Sequence, residues 1–135
     1  MKLKLLSTAA AATALTIGIA SSPAQADDSY TWYFEDVYVG ETWAGRAGFR
    51  DTGDYILVSD KRADGLRAVT EWKTDYGRSG TCHDDDGADN GDITCNYDMS
   101  ESGKVNFRVV LRNGANGANQ YASSWNGWVP ISYSG

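Results

Sequence analysis

A strand period dominates the pattern of hydrophobic and polar positions in this chain. Apolar residues at positions 105, 107, 109 and 111 alternate with Asn106, Arg108, Val110 and Arg112, as in a half-buried strand. Ala68–Thr74 alternates in the same way, and Tyr55–Ser59 is a short apolar run that ends at Asp60. No window of a dozen residues after position 26 keeps the three-and-four spacing of an amphipathic helix. Weaker strand patterns occupy Arg46–Arg50, Asp92–Tyr97, Gln120–Ser124 and Trp128–Tyr133.

Turn residues separate these runs. Four connections contain residues that tolerate positive φ or bond their own backbone: Asp51–Asp54, Arg62–Gly65, Glu101–Gly103 and Asn113–Gly114. Short strands at about ten-residue spacing, joined by such turns, are typical of antiparallel sheets. The sequence therefore predicts an all-β protein, a single small antiparallel β-sandwich or barrel with one disulfide.

The first 26 residues have the three parts of a secretory signal peptide. A basic start at Lys2 and Lys4 precedes the apolar run Leu5–Ala20, and Ala24-Gln25-Ala26 is a small-x-small cleavage site. We therefore expect a secreted, extracellular protein without membrane attachment after cleavage. The predicted organisation is a signal peptide at 1–26, an N-terminal aromatic strand or extension at 27–42, and a β-sandwich domain at 43–135.

Charge limits the classes of partner. Ten basic and 18 acidic residues follow position 26, which leaves the exported part with a net charge of −8. Phosphate backbones and anionic membranes repel a chain this acidic, so we expect no nucleic-acid binding. The acidic composition instead favours a protein partner with basic patches and a salt-sensitive association rate.

Two cysteines, Cys82 and Cys95, lie in the exported part. A metal site would need further soft ligands, and a redox pair is usually a tighter Cys-x-x-Cys. In an oxidising compartment this pair is therefore predicted to form one structural disulfide.

Catalytic signals are weak. His83 is the only histidine, it lies beside a cysteine in an acidic loop, and the chain lacks a Gly-x-Ser-x-Gly motif. The scattered carboxylates do not single out a glycosidase pair. The sequence therefore favours a protein that is not an enzyme, with His83 interpreted as a solvated loop residue.

Residues 84–92 concentrate five aspartates within nine positions. Calcium takes six to eight oxygen ligands, which a loop of aspartates with glycine bends could supply in part. The loop departs from the EF-hand pattern, because its sixth position is Asp89 rather than glycine. It is therefore either a solubilising loop or a calcium site, and calcium is the only cofactor considered. The candidate ligands are Asp84, Asp86, Asp89 and Asp92.

Two aromatic segments are candidate recognition surfaces. Tyr30–Val39 is aromatic or apolar on both strand faces, so it is either a buried strand of the domain's own core or an arm that docks on a partner. The pair Trp125 and Trp128 could stack on sugars, act as hot spots, or close the sandwich from within. The candidate partner-binding residues are Trp32, Tyr33, Phe34, Val37, Tyr38, Trp125 and Trp128.

A set of motifs between Gly48 and Trp125 resembles a group of small secreted streptomycete proteins. The run Gly53–Gly65 has the pattern Gly-Asp-x-x-x-Val-x-Asp-x-x-Ala-Asp-Gly, and the basic alternating strand Lys104–Val109 and a late Ser-Ser-Trp follow it. Some members are similar to the small adaptor subunit of umbrella toxin particles, which are antibacterial assemblies. The resemblance implies an N-terminal extension, here Ser29–Thr42, that grips one partner while the folded domain meets another.

The predicted function is a secreted, non-enzymatic protein-binding module, an adaptor in an extracellular antibacterial toxin complex. Three alternatives remain open: an inhibitor of a secreted hydrolase that presents the Cys82–Cys95 loop, a carbohydrate-binding module that uses Trp125 and Trp128, and a small toxin similar to βγ-crystallins.

Overall fold

The computed structural model describes residues 29–88 and 90–132, so the predicted signal peptide and Asp89 lie outside the described residues. The described chain forms nine β-strands and contains no helix, hence none long and apolar enough to cross a membrane. The strands are β1 (Trp32–Val39), β2 (Thr42–Arg50), β3 (Tyr55–Asp60), β4 (Arg67–Thr74), β5 (Ser79–His83), β6 (Ile93–Asn96), β7 (Lys104–Arg112), β8 (Asn119–Ala122) and β9 (Val129–Pro130).

The strands form two antiparallel sheets that pack face to face. The first sheet has the order β1-β2-β3-β6, and the second has the order β5-β4-β7-β8, with β9 also pairing with β7. The predicted all-β class and the predicted disulfide are confirmed. Strand β5 was not predicted, because Ser-Gly-Thr-Cys-His carries almost no hydrophobic signal and forms a strand by pairing with β4.

The core lies between the sheets and consists of the inward positions that the alternation predicts. Phe107 and Val109 of β7 are fully buried, opposite Phe49 and Ile56 of the first sheet. The buried hydroxyl of Thr70 donates a hydrogen bond of 2.7 Å to the carbonyl of Leu57, which joins the two sheets. The inner faces of the two sheets therefore form the core, and the central strands β3 and β7 also bury residues of their other face.

The two lateral sides of the sandwich close differently. On one side the disulfide Cys82–Cys95 joins β5 to β6, with 6.0 Å between the two Cα atoms. On the other side the segment from β8 to β9 follows β7, and between these strands Asn126 donates its backbone N–H to the carbonyl of Phe107 at 2.8 Å. The eight-residue β1 is left as an edge strand with β2 as its single strand neighbour in the described chain.

A buried carboxylate supports the turn between β2 and β3. Asp54 has a positive φ of 58° and is 5% exposed, and its Oδ2 accepts the backbone N–H of Met99 at 3.0 Å. Its Oδ1 is buried without a hydrogen-bond partner in the described structure. Burial raises the pKa of Asp54, and the nearby charge of Asp98 raises it further. The folded state therefore favours the protonated form of this carboxyl group.

The variant Asp54→Asn is expected to change how stability depends on pH. Because the folded-state pKa of Asp54 is raised, its contribution is fully present below the unfolded-state pKa and is lost as pH rises through the folded-state value. Asparagine is never charged, keeps an acceptor for Met99 and tolerates the positive φ. Urea unfolding should therefore show the variant gaining stability relative to wild type between pH 4 and pH 7. A difference between the two proteins that is the same at both pH values would contradict the assignment.

Candidate functional site on the outer face of the first sheet

Strand β1 divides its side chains between the core and the protein surface. It pairs with β2 along its length, from Trp32 opposite Arg50 to Val39 opposite Thr42. Among the predicted partner-binding residues, Val37 is 3% exposed and Tyr33 packs partly against the core, so both face inward. Phe34 is 42% exposed and Tyr38 is 55% exposed. The segment is thus a strand of the domain's own first sheet, and its outward side chains are free to meet a partner.

Outward rings from β1 and β2 stack with cations in a continuous row. Trp32 and Phe34 are parallel, with ring centroids 5.6 Å apart and planes inclined by 6°. The guanidinium carbon of Arg46 lies 4.7 Å from the Phe34 centroid and 5.0 Å from that of Trp43. The ammonium of Lys61 lies 4.9 Å from the Trp43 centroid. These are cation–π distances, so each group holds its neighbour in place.

A second stack continues the same face beside Trp32. The guanidinium carbon of Arg50 lies 4.6 Å from the ring centroid of Tyr30 and 4.3 Å from that of Tyr55. Its Nε donates to the carbonyl of Thr52 at 3.2 Å. The name ring–cation ladder is used below for both stacks and the adjoining Tyr38. Its members are Tyr30, Trp32, Phe34, Tyr38, Trp43, Arg46, Arg50, Tyr55 and Lys61.

Two local features of β2 build this face. The register between β1 and β2 shifts by one residue, because Val37 pairs with Gly45 whereas Tyr38 pairs with Trp43. This bulge places Trp43 and Arg46, three residues apart, on one face, where regular alternation would oppose them. Gly48 lies opposite Phe34, and a Cβ added there would lie 3.0 Å from the Phe34 ring. A glycine therefore lets the ring lie close to the sheet.

The charges on this face are unevenly compensated. Asp36 accepts hydrogen bonds from Arg46 Nε at 2.8 Å and from Trp43 Nε1 at 3.0 Å. The hydrogen bond from Arg46 lowers the pKa of Asp36, so this carboxylate stays ionised. Lys61 lies 4.0 Å from a carboxylate oxygen of Asp92. Arg50 has no carboxylate within 4 Å among the described residues, so its charge is balanced by ring faces and a carbonyl alone.

The remaining predicted partner residues lie elsewhere. Trp125 is half-buried against the second sheet, with Lys73 Nζ 4.2 Å and Arg108 Cζ 4.7 Å from its ring centroid. A shallow cleft of about 310 Å³ borders this ring and is lined by Lys73, Ser79 and other residues of β4 and β5. Trp128 is 49% exposed just before β9. The structure therefore does not bring these tryptophans together with the ladder.

The titratable groups of the second sheet form a structural network. Glu71 accepts hydrogen bonds from Arg108 at 2.8 Å and from Arg112 at 2.6 Å. Burial alone would raise the pKa of Glu71, but these hydrogen bonds and charges lower it. His83 ends β5, half-buried, with Nδ1 3.4 Å from Arg67 Nη1 and Nε2 3.2 Å from a threonine hydroxyl. It is therefore a strand residue, and the prediction that it lies in a loop is wrong, although its side chain is partly exposed.

The acidic loop after β5 is tied to the fold through one aspartate. Asp84 is 2% exposed, and its Oδ2 accepts the backbone N–H of Asp60 at 2.8 Å while its Oδ1 accepts that of Asp86 at 3.2 Å. The side chains of Asp86 and Asp92 point away from the core and are exposed. In residues 29–88 and 90–132 no group of three or more His, Cys, Asp or Glu side chains could hold a metal ion. The described candidate ligands are therefore not gathered into one cluster, and Asp89 lies outside the described residues.

Six ladder residues were not among the predicted partner contacts: Tyr30, Trp43, Arg46, Arg50, Tyr55 and Lys61. The available signal was the spacing of Arg46, Gly48 and Arg50, which share one strand parity. It did not extend to Trp43, because the bulge changes the parity there. The face therefore depends on a register shift that the hydrophobic pattern does not reveal.

No family model, no curated protein and no solved structure matches the chain.

Proposed function

We propose that this protein is a secreted, non-enzymatic binding module that docks on a protein partner through the ring–cation ladder. The observation that carries the proposal is the exposed row of stacked rings and guanidinium groups on the outer face of the first sheet. Tryptophan, tyrosine and arginine are the residues that contribute most to protein–protein binding energy. The stacks also keep these side chains ordered before binding, which lowers the entropic cost of association.

The way the rings are stacked favours a protein over a sugar. A sugar ring stacks on an open aromatic face, but Phe34 stacks on Trp32 and on Arg46, and Tyr55 stacks on Arg50. Each of these contacts covers a ring face that a sugar would need, whereas ring edges and N–H groups take no part in the stacks. Such groups suit carbonyl and carboxylate oxygens, which a protein surface supplies in abundance.

The free edge of β1 supports strand addition as part of the docking mode. Among the described strands, β1 is the long edge strand, and its outward rings lie directly beside that edge. A partner strand could pair with its backbone while its side chains contact Trp32 and Phe34. The proposed role as an adaptor in an extracellular antibacterial complex is supported by the motif resemblance in Gly53–Gly65.

The double variant Phe34→Ala/Tyr38→Ala is expected to abolish partner capture without unfolding the domain. Both side chains are exposed and belong to no buried cluster, so their loss removes contact area from the surface alone. The measurement is affinity capture from the culture medium of the producing organism, with mass spectrometry and quantification of the retained protein. We expect at least a tenfold loss of that protein, because hot-spot truncations each cost about 2 kcal/mol or more.

The matched control is Trp128→Ala, a variant of an equally exposed aromatic residue outside the ladder. This variant should capture the same protein as wild type. Far-UV circular dichroism and melting temperature establish that all three proteins are folded. If the Trp128 variant loses the partner while the ladder variant keeps it, the binding surface lies near β9 and the proposal is wrong.

A further inference from the structure

We infer that the partner presents carboxylate groups to the ladder and that Arg50 is the cation that recognises them. This inference rests on the proposed function and names the chemistry of the partner. It differs from the expectation drawn from composition, because the net charge of −8 in the residues after position 26 would favour a basic partner. The docking face has the opposite local character.

Charge complementarity supports an acidic partner. This face carries three cations, which are Arg46, Arg50 and Lys61. Two carboxylates form ion pairs with them: Asp36 with Arg46, and Asp92 with Lys61. Arg46 and Lys61 therefore each have a local counter-charge. One positive charge, that of Arg50, has none within 4 Å in the described part of the chain.

The hydrogen-bonding state of Arg50 adds a second argument. Its Nε donates to the Thr52 carbonyl, but its two terminal nitrogens donate to no acceptor among the described residues. The guanidinium carbon of Arg50 lies less than 5 Å from the ring centroids of Tyr30 and Tyr55. These two contacts restrict the rotamers of Arg50. A restrained guanidinium with unused N–H groups matches a carboxylate, which can accept two parallel hydrogen bonds.

The aromatic rings around Arg50 also favour a negatively charged group. The edge of an aromatic ring is electropositive and its face is electronegative. Here one face each of Tyr30 and Tyr55 is turned to a cation, and the ring edges and hydroxyl groups take no part in that contact. Ring edges and guanidinium N–H groups together form an electropositive patch within an acidic protein. An acidic segment of a partner is therefore the occupant that this patch fits.

A peptide titration tests this inference with defined probes. The probes are three fluorescein-labelled decapeptides in which threonine alternates with glutamate, with lysine or with glutamine. Fluorescence anisotropy at low salt should show that the wild-type protein binds the glutamate peptide at least tenfold more tightly than either of the others. Binding should weaken as sodium chloride is added, because exposed charge pairs are screened.

Variants at Arg50 make the test specific. Arg50→Gln should weaken binding of the glutamate peptide about tenfold, as expected for loss of a charge-assisted hydrogen bond. Arg50→Glu should reverse the preference, so that the lysine peptide binds more tightly than the glutamate peptide. The control Arg62→Glu changes an exposed arginine in the β3–β4 connection and should leave the wild-type preference unchanged. Arg50→Gln remains informative if the charge-reversed variant does not fold.

Three outcomes overturn the inference. These are equal affinity for the three peptides, unchanged binding in Arg50→Gln, and a dimer seen by analytical ultracentrifugation that Phe34→Ala dissociates. The last would identify a second copy of this chain as the occupant. None of the peptide results decides whether the Phe34/Tyr38 variant captures a partner, so failure of this inference and failure of the proposed function are separate results.

Discussion

Replacing Phe107 with alanine is expected to lower the free energy of unfolding by about 3–5 kcal/mol. Phe107 is fully buried in the middle of β7, where it pairs with Trp72 of β4 and belongs to the cluster between the two sheets. Truncation removes apolar contacts and leaves a cavity, because the surrounding close-packed side chains cannot move far enough to fill it. A domain of this size is stable by about 5–15 kcal/mol, so the variant loses a large share of its stability. Urea unfolding followed by tryptophan fluorescence measures the effect.

Phe34→Ala is the matched control, because it deletes the same atoms at a position that is 42% exposed. It loses stacking on Trp32 and the contact with Arg46, which together are worth on the order of 1 kcal/mol. The two variants should therefore separate stability from binding: Phe107→Ala destabilises the fold, and Phe34→Ala weakens partner contact. Equal destabilisation by both changes would show that Phe34 belongs to the core and not to a docking surface.

Removal of the disulfide in the variant Cys82→Ala/Cys95→Ala is expected to cost about 3 kcal/mol. The bridge spans a sequence separation of 13 and restrains the unfolded chain, and it also joins the edge strands β5 and β6 of opposite sheets. For a domain of about 100 residues this loss corresponds to a fall in melting temperature of roughly 10–20 °C. Thermal unfolding followed by circular dichroism measures it.

Wild-type protein treated with a reductant serves as the comparison for this variant, and both should melt at the lower temperature. Melting within a few degrees of the oxidised wild type would show that the bridge adds little to the fold. The same variant distinguishes two functions when assayed below its melting temperature. Strands β2 and β3 separate the outward rings of β1 from the bridge on β6, so capture of the partner should persist. Loss of capture would favour the inhibitor alternative, which depends on the loop between the two cysteines.

Strands with buried apolar side chains could be predicted from the sequence, whereas a polar strand could not. The alternation of Val105, Phe107, Val109 and Leu111 predicted β7 because all four side chains lie in the core between the sheets, although Val110 on the other face is buried as well. Ser79–His83 gave no such signal, and its strand conformation comes from pairing with β4. Hydrophobic pattern reports burial directly, whereas it is silent about a polar strand whose neighbour supplies the hydrogen bonds.

The residues themselves determined the all-β class, the disulfide between Cys82 and Cys95, and the aromatic character of both faces of β1, because period, pairing chemistry and ring content are local properties. Only the tertiary structure decided that Trp43, Arg46 and Arg50 join Phe34 on one outer face. That arrangement depends on the bulge in β2 and on the register between neighbouring strands. Contacts across strands are set by the packing of the whole sheet, which no single segment encodes.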